Sequence, residues 1–246
     1  DGVSRGYSIY FRETDYGEYN IANYLTNSQG LGVQFGYPIS DTQRIGLNVN
    51  FDNTDIDSGS LPSREISDFL SSEGNVFDVL KAQAVWSRVT LNRGMFPTYG
   101  SSTDVMLQVT VPGSDLTYYK TNFRQKFYRP LGFSNLVFGF DGELGYIGAY
   151  GDTEKTPFFE NFYSGGPRSI RGFESNTLGP RVTPSPCYNF DPVTEECPLI
   201  VDSDFDGTPD SIAQNPYLYQ QRRDPIGGNL LIEGSLQLIF KLPMIE

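Results

Sequence analysis

The sequence predicts an all-β fold, an antiparallel transmembrane β-barrel wall of about eight strands with one very long extracellular loop. Three observations predict it. Segment after segment alternates apolar and polar residues with period two, the mark of a sheet with one wet face. The apolar stripes continue for roughly nine to eleven residues, the span a tilted strand needs to cross a bilayer. The charges Lys120, Arg124, Lys126, Asp141 and Glu143 all share the parity opposite to the apolar stripe. Lys or Arg facing lipid at mid-depth costs about 2–4 kcal/mol, so this parity belongs to a watery lumen. A soluble β-sandwich also alternates, but would have to pack its apolar faces on each other.

The elements follow in order. Residues 3–12 place Val3, Arg5, Tyr7, Ile9 and Phe11 on one face and Ser4, Gly6, Ser8, Tyr10 and Arg12 on the other. A polar connection spans roughly 13–29, and Leu31, Val33, Phe35 and Tyr37 form the apolar side of the second strand. The turn Pro38-Ile39-Ser40-Asp41-Thr42-Gln43 returns the chain. Ile45, Leu47, Val49 and Phe51 then alternate with Arg44, Gly46, Asn48 and Asn50. An acidic connection at 53–78 contains a short surface helix from Ser63 to Leu70. The fourth strand, about 79–91, carries Leu80, Ala82, Ala84 and Trp86 on one face and ends in the turn Asn92-Arg93-Gly94-Met95-Phe96-Pro97-Thr98-Tyr99-Gly100.

The fifth strand sets Val105, Leu107, Val109 and Val111 against Asp104, Met106, Gln108 and Thr110. The sixth sets Tyr119, Thr121, Phe123 and Phe127 against Lys120, Asn122, Arg124 and Lys126. After a turn at 130–135, the seventh sets Leu136, Phe138, Phe140, Leu144 and Tyr146 against Gly139, Asp141 and Glu143. The long loop covers 151–228, and the eighth strand sets Leu230, Ile232, Leu236, Leu238 and Phe240 against Asn229, Glu233, Ser235 and Gln237. By parity, the turns after the second, fourth and sixth strands are periplasmic, and the other connections face outside.

Composition narrows the function. Eighteen Phe, sixteen Tyr and 26 Gly fit a barrel with interfacial aromatic girdles. No run approaches eighteen apolar residues, which predicts neither a transmembrane helix nor a secretory signal in this stretch. A net charge of −12 argues against nucleic acid, whose phosphates select basic patches. The chain has no histidine, the commonest general base. With no Cys–base pair either, no catalytic triad can be assembled, and an enzyme is not expected.

One stretch stands apart: Phe158-Phe159-Glu160-Asn161-Phe162-Tyr163-Ser164-Gly165-Gly166-Pro167-Arg168-Ser169-Ile170-Arg171-Gly172-Phe173-Glu174-Ser175-Asn176-Thr177-Leu178-Gly179-Pro180. Gly165-Gly166 and Gly172 permit turns at positive φ. Arg171 offers a rigid fork of donors that wants a carboxylate. Ile170-Arg171-Gly172-Phe173 resembles the loop motif of the BamA family of outer-membrane protein assembly factors and of its superfamily of assembly and secretion barrels. The flanking Phe162-Tyr163-Ser164-Gly165-Gly166 and Ser175-Asn176-Thr177-Leu178-Gly179-Pro180 look like the assembly branch in particular. The turn at 92–100 resembles a periplasmic turn of the same superfamily.

The resemblance implies that residues 1–246 are a partial barrel, the middle strands of a sixteen-stranded family barrel. It also implies soluble periplasmic repeats and a lateral gate outside this stretch. In the family the loop at 151–228 folds back into the lumen, and its arginine pairs with acids on the inner wall. Here the candidates for Arg171 are Glu233, Gln237, Asp141 and Glu143, and Gln237 stands where the family has a wall glutamate.

Two more features lie in the long loop. Cys187 and Cys197 enclose nine residues; a disulfide is the expectation, since similar family loops carry one outside the cytosol, and free thiols are the alternative. Asp202, Asp204, Asp206 and Asp210 have the spacing of a calcium loop. Ala213 stands where that loop needs its bidentate glutamate, so a solvated acidic loop is the other reading, and no further cofactor is implied.

The leading functional reading is a Gram-negative outer-membrane factor that folds and inserts β-barrel proteins. Its expected partners are unfolded outer-membrane proteins, outer-membrane lipid and, through the periplasmic repeats, accessory assembly lipoproteins. The alternatives are a two-partner secretion translocator or another transport pore, and a soluble β adhesin.

Overall fold

The computed structural model describes residues 2–19, 21–22, 24–58, 62–132, 136–183 and 224–240. Eight strands form one antiparallel sheet in sequence order. They are β1 (Ser4–Asp15), β2 (Leu25–Ser40), β3 (Gln43–Asp57), β4 (Val76–Val89), β5 (Gly100–Thr110), β6 (Tyr118–Pro130), β7 (Leu136–Ala149) and β8 (Leu230–Phe240). Among the described residues, one α-helix, α1 (Arg64–Glu73), interrupts the meander. β1 and β8 are its two edges, as suits a stretch of barrel wall. No helix among the described residues is long and apolar enough to cross a membrane.

The two faces separate as the alternation predicts. Tyr7, Phe11, Leu31, Leu47, Leu107, Phe123, Leu144, Ile232 and Leu236 are exposed on one face, where lipid covers them. On the other face, paired strands join polar groups: Asn48 donates to Gln83 at 2.8 Å and Asn122 to Glu143 at 2.8 Å.

The strands run further outward than the apolar stripes. β1 and β2 remain paired from Glu13↔Asn27 to Asp15↔Leu25, and β3 continues to Asp57. The polar segments at 13–15, 25–29 and 53–57 are therefore strand, not connection. Polarity there marks where the wall leaves the bilayer, since a strand in water no longer needs an apolar face. β4 likewise begins at Val76, three residues earlier than the pattern suggests, because Phe77 and Val79 are buried among the outer connections.

The apolar core sits at this outer end. Ile21, Ala22 and Tyr24 from the β1–β2 connection meet Ile66 and Phe69 of α1. Leu116 and Tyr118 join from β5–β6 and the start of β6, and Phe158, Val182 and Ile226 from the long connection after β7. α1 buries Ile66 and Phe69 three residues apart, on one helical face. Its Glu65 carboxylate accepts the Thr183 amide at 2.9 Å, and the Arg64 amide donates to the Thr183 carbonyl at 3.0 Å. The helix is thus latched to the long connection.

Candidate functional site

The connection after β7 folds back along the polar face of the sheet. A short 3-10 turn, Phe158–Glu160, points its two aromatic rings into the outer core: Phe158 meets Tyr24 and Phe69 edge-on at 4.8 and 5.3 Å, and Phe159 stacks on Phe77 at 6.1 Å. The chain then descends as a narrow ladder. Phe162 and Gly228 exchange backbone bonds at 2.9 and 3.0 Å, Leu178 donates to Ser164 at 3.1 Å, and Val182 donates to Asp224 at 2.9 Å. Gly145 on β7 makes this approach feasible: a Cβ there would lie 2.7 Å from the Phe162 ring.

Glu160 is the ionic anchor. Lys81 of β4 reaches it at 2.8 Å and Lys120 of β6 at 3.2 Å. Lys120 also donates to the Glu160 carbonyl at 2.7 Å, and the Tyr118 hydroxyl donates to the carboxylate at 3.0 Å. Lys81 has a second partner, Asp52 of β3, at 3.1 Å. Asp52 in turn accepts from the Tyr10 hydroxyl of β1. The Glu160 carboxylate therefore ties the loop directly to β4 and β6, and through Lys81 and Asp52 to β3 and β1. The side chains of Lys81, Lys120 and Glu160 are only 16–19% exposed, so the ions are poorly screened. Burial alone would raise the Glu160 pKa, but the charges of Lys81 and Lys120 and the donors around it hold it down to about 2.

Further along, Gly165 and Gly166 turn the chain at φ 106° and 103°. A Cβ on Gly165 would lie 2.7 Å from the Glu174 carbonyl, so the tight hairpin tip needs glycine there. The tip rests on β8: the hydroxyls of Ser164 and Ser169 donate to Glu233 at 2.9 and 2.6 Å.

Ile170, Arg171 and their neighbours line a cavity of about 320 Å³ against the inner wall, together with Arg124, Asp141, Glu143, Glu233 and Gln237. The candidate partners of Arg171 are thus gathered around one space, but each acid has another contact. Glu233 holds the two serines. Asp141 faces Arg124 at 3.4 Å and Lys126 at 3.5 Å. Glu143 accepts from Asn122 and lies 3.8 Å from Arg124. Gln237 donates to Ser235 at 3.4 Å. Arg171 is exposed and forms no ion pair among the described residues. Gly172 turns at φ 94°, and Phe173 is exposed.

Cys187, Cys197, Asp202, Asp204, Asp206 and Asp210 lie outside the described residues.

The Glu160 anchor was not among the candidates read from the sequence. Its signal was present: one acid inside Phe158-Phe159-Glu160-Asn161-Phe162-Tyr163, an aromatic run bound for a buried place. A buried acid demands a cation, and Lys81 and Lys120 carry the lumenal parity of their strands.

A plugged, outward-apolar barrel wall has known counterparts. The profile of the Omp85 superfamily domain matches residues 1–246. The chain belongs to the Omp85 superfamily. It is 33% identical over 193 residues to the outer membrane protein assembly factor BamA of Neisseria meningitidis serogroup B, a match covering 74% of this chain and 24% of that protein. Its fold is similar to that of BamA from Haemophilus ducreyi lacking POTRA domains 1–3, with a TM-score of 0.78 and 24% identity. That match covers all of this chain and 43% of the other. The chain thus spans about a quarter of the curated relative and under half of the solved one. The superfamily places it in the outer membrane of a Gram-negative bacterium.

Proposed function

We propose that this chain is wall and internal plug of a factor that folds and inserts β-barrel proteins into the outer membrane. The observation that carries the proposal is the loop fixed inside the wall by Glu160 on Lys81 and Lys120, and by Ser164 and Ser169 on Glu233. A conduit for soluble cargo needs its lumen open. A wall that guides strands into the bilayer needs rigidity instead, and an anchored loop braces it from within. The 33% identity to an assembly factor supports the same reading.

In this role the clients are unfolded outer-membrane proteins, delivered with the help of accessory lipoproteins on the periplasmic repeats. Insertion proceeds by edge-strand templating and local thinning of the bilayer, without nucleotide, metal or covalent chemistry. Arg171 acts as the cation of the plug in the cavity that Asp141, Glu143 and Glu233 also line.

The test uses the full-length protein with Arg171→Ala in cells depleted of the native copy. Several unrelated outer-membrane barrels are quantified beside secretion of any dedicated exoprotein. A joint fall of all the barrels is the expected result. Unchanged barrels with loss of a single exoprotein would make the protein a secretion pore and overturn the assembly reading.

A further inference from the structure

The lipid-facing positions of the eight strands carry few charges, and these are sorted by sign. At the periplasmic end they are Arg5, second residue of β1, and Arg88 and Arg129, each next to last in β4 and β6. At the outer end they are Glu13, Asp15, Asp55, Asp57 and Asp78. β2, β5, β7 and β8 place no charge on this face. The segregation runs against the composition, since the chain as a whole carries −12.

Arg93 adds a fourth positive charge in the β4–β5 turn at the same periplasmic end. That turn is a preformed clip. The Asn92 side chain accepts the amides of Thr98 and Tyr99 at 3.1 and 3.2 Å and donates to the Thr98 hydroxyl at 2.9 Å. Phe96 is held at φ 51°, unusual for an aromatic residue. The clip presents Met95 and Phe96, each 75% exposed, two and three residues after Arg93. Arg5, Arg88, Arg93 and Arg129 are all exposed, and none forms an ion pair among the described residues.

We propose that Arg5, Arg88, Arg93 and Arg129 form a collar that binds the phosphates of anionic glycerophospholipids in the periplasmic leaflet. Three of the four project from the face that lipid covers, so their partner has to lie in the bilayer interface. There an arginine stem lies along apolar surface while its head snorkels to the headgroups. Guanidinium matches phosphate as a bidentate donor, and basic residues beside a membrane are drawn to anionic lipid. Met95 and Phe96 give the turn an apolar tip for the acyl boundary, the pairing of basic and apolar groups that interfacial binders use. The clip fixes that tip, so lipid binding needs no ordering of the turn.

The full-length protein is reconstituted in phosphatidylcholine bilayers with a trace of spin-labelled phosphatidylglycerol or spin-labelled phosphatidylcholine. The motionally restricted fraction gives the relative affinity of the two lipids for the barrel surface. The native protein should prefer phosphatidylglycerol several-fold. The quadruple variant R5Q/R88Q/R93Q/R129Q should bring the ratio close to one, while the corresponding four-fold Arg→Lys variant retains most of it. Salt at about 1 M, where screening acts within about 3 Å, should abolish the preference of the native protein. No preference in the native protein, or a preference that survives the Gln substitutions, overturns the proposal. Should the Gln variant fail the heat-modifiable mobility test for a folded barrel, the salt series decides: a preference indifferent to salt overturns the collar.

Discussion

Substituting Glu160→Gln removes the charge of the loop anchor while preserving its shape. Two routes give the magnitude. Removing one partner of a buried ion pair costs about 3–5 kcal/mol. The lower end applies here, because Lys81 retains Asp52 at 3.1 Å and Lys120 retains the Glu160 carbonyl at 2.7 Å. Independently, the Glu160 pKa falls from the ordinary 4.5 to about 2, because Lys81, Lys120 and Tyr118 outweigh the opposing effect of burial. At 1.36 kcal/mol per unit that depression corresponds to about 3 kcal/mol between the charged and neutral forms. The docked loop should therefore open on the order of a hundredfold more often in the variant. Hydrogen exchange on the full-length protein reads this at the Phe162, Gly228 and Leu178 amides, which close the loop ladder. They should lose about two decades of protection while the amides of β4 and β6 keep theirs. The sign with pH follows, since a depressed carboxylate stabilises above its unfolded pKa. Native loop protection, corrected for intrinsic exchange, is complete above pH 4.5 and declines as pH falls toward about 2. In Glu160→Gln that decline is absent. Unchanged protection of the Phe162 and Gly228 amides in the variant would refute the anchor, and so would an equal loss throughout the strands.

Two further substitutions probe the same seat. Gly145→Ala sets a methyl 2.7 Å from the Phe162 ring, an overpacking that typically costs about 1–3 kcal/mol. It should lower loop protection, and Phe162→Ala in the same chain should relieve the clash; simple additivity of the two effects would contradict the contact. Glu233→Ala leaves the Ser164 and Ser169 hydroxyls without their charged acceptor, a loss of about 1.5–3 kcal/mol per bond at most. A spin label at position 175 should then gain mobility, and an unchanged line shape would show that the hairpin tip does not depend on β8.

The strands were readable because period-two alternation is imposed by the pleat itself, and lipid on one side with water on the other makes the alternation stark. Leu107 and Val109 against Gln108 and Thr110 leave no choice of face. Strand ends were less readable for a physical reason. Asn27, Gln29, Asn53 and Asp55 are polar because the wall has left the bilayer, yet Gln29 still donates to Asn53 across the ladder at 3.1 Å. The loop motif around Arg171 was recognisable, and so was the set of wall residues that line one cavity with it. Their actual pairing was not, because competition for Glu233 and Asp141 is decided by hydroxyls and cations placed by curvature, which no spacing encodes. The Glu160 network was harder still. It joins Tyr10, Asp52, Lys81, Tyr118 and Lys120 from four strands, and only the assembled sheet with the loop against it brings them together.

The aromatic and ionic parts of the seat perform different tasks. A buried Phe contributes about 1.5–3 kcal/mol wherever it finds apolar surface, so Phe158 and Phe159 against Phe69 and Phe77 fix how deep the loop sits but tolerate sliding. Charges do not tolerate it. If the loop slipped by one residue, Phe159 would face Lys81 and Lys120, and the Glu160 carboxylate would enter the aromatic cluster. Each ion left unpaired in a buried site costs several kcal/mol. The stretch Phe158-Phe159-Glu160 therefore acts as a keyed plug, in which the rings drive insertion and the carboxylate admits a single register. The hairpin beyond it inherits that register: Ser164 and Ser169 reach Glu233, and Arg171 reaches the acid-lined cavity, because the chain was counted from Glu160. A wall that flexes around an internal brace that must not drift needs that division, and a plug held by apolar contacts alone would not supply it.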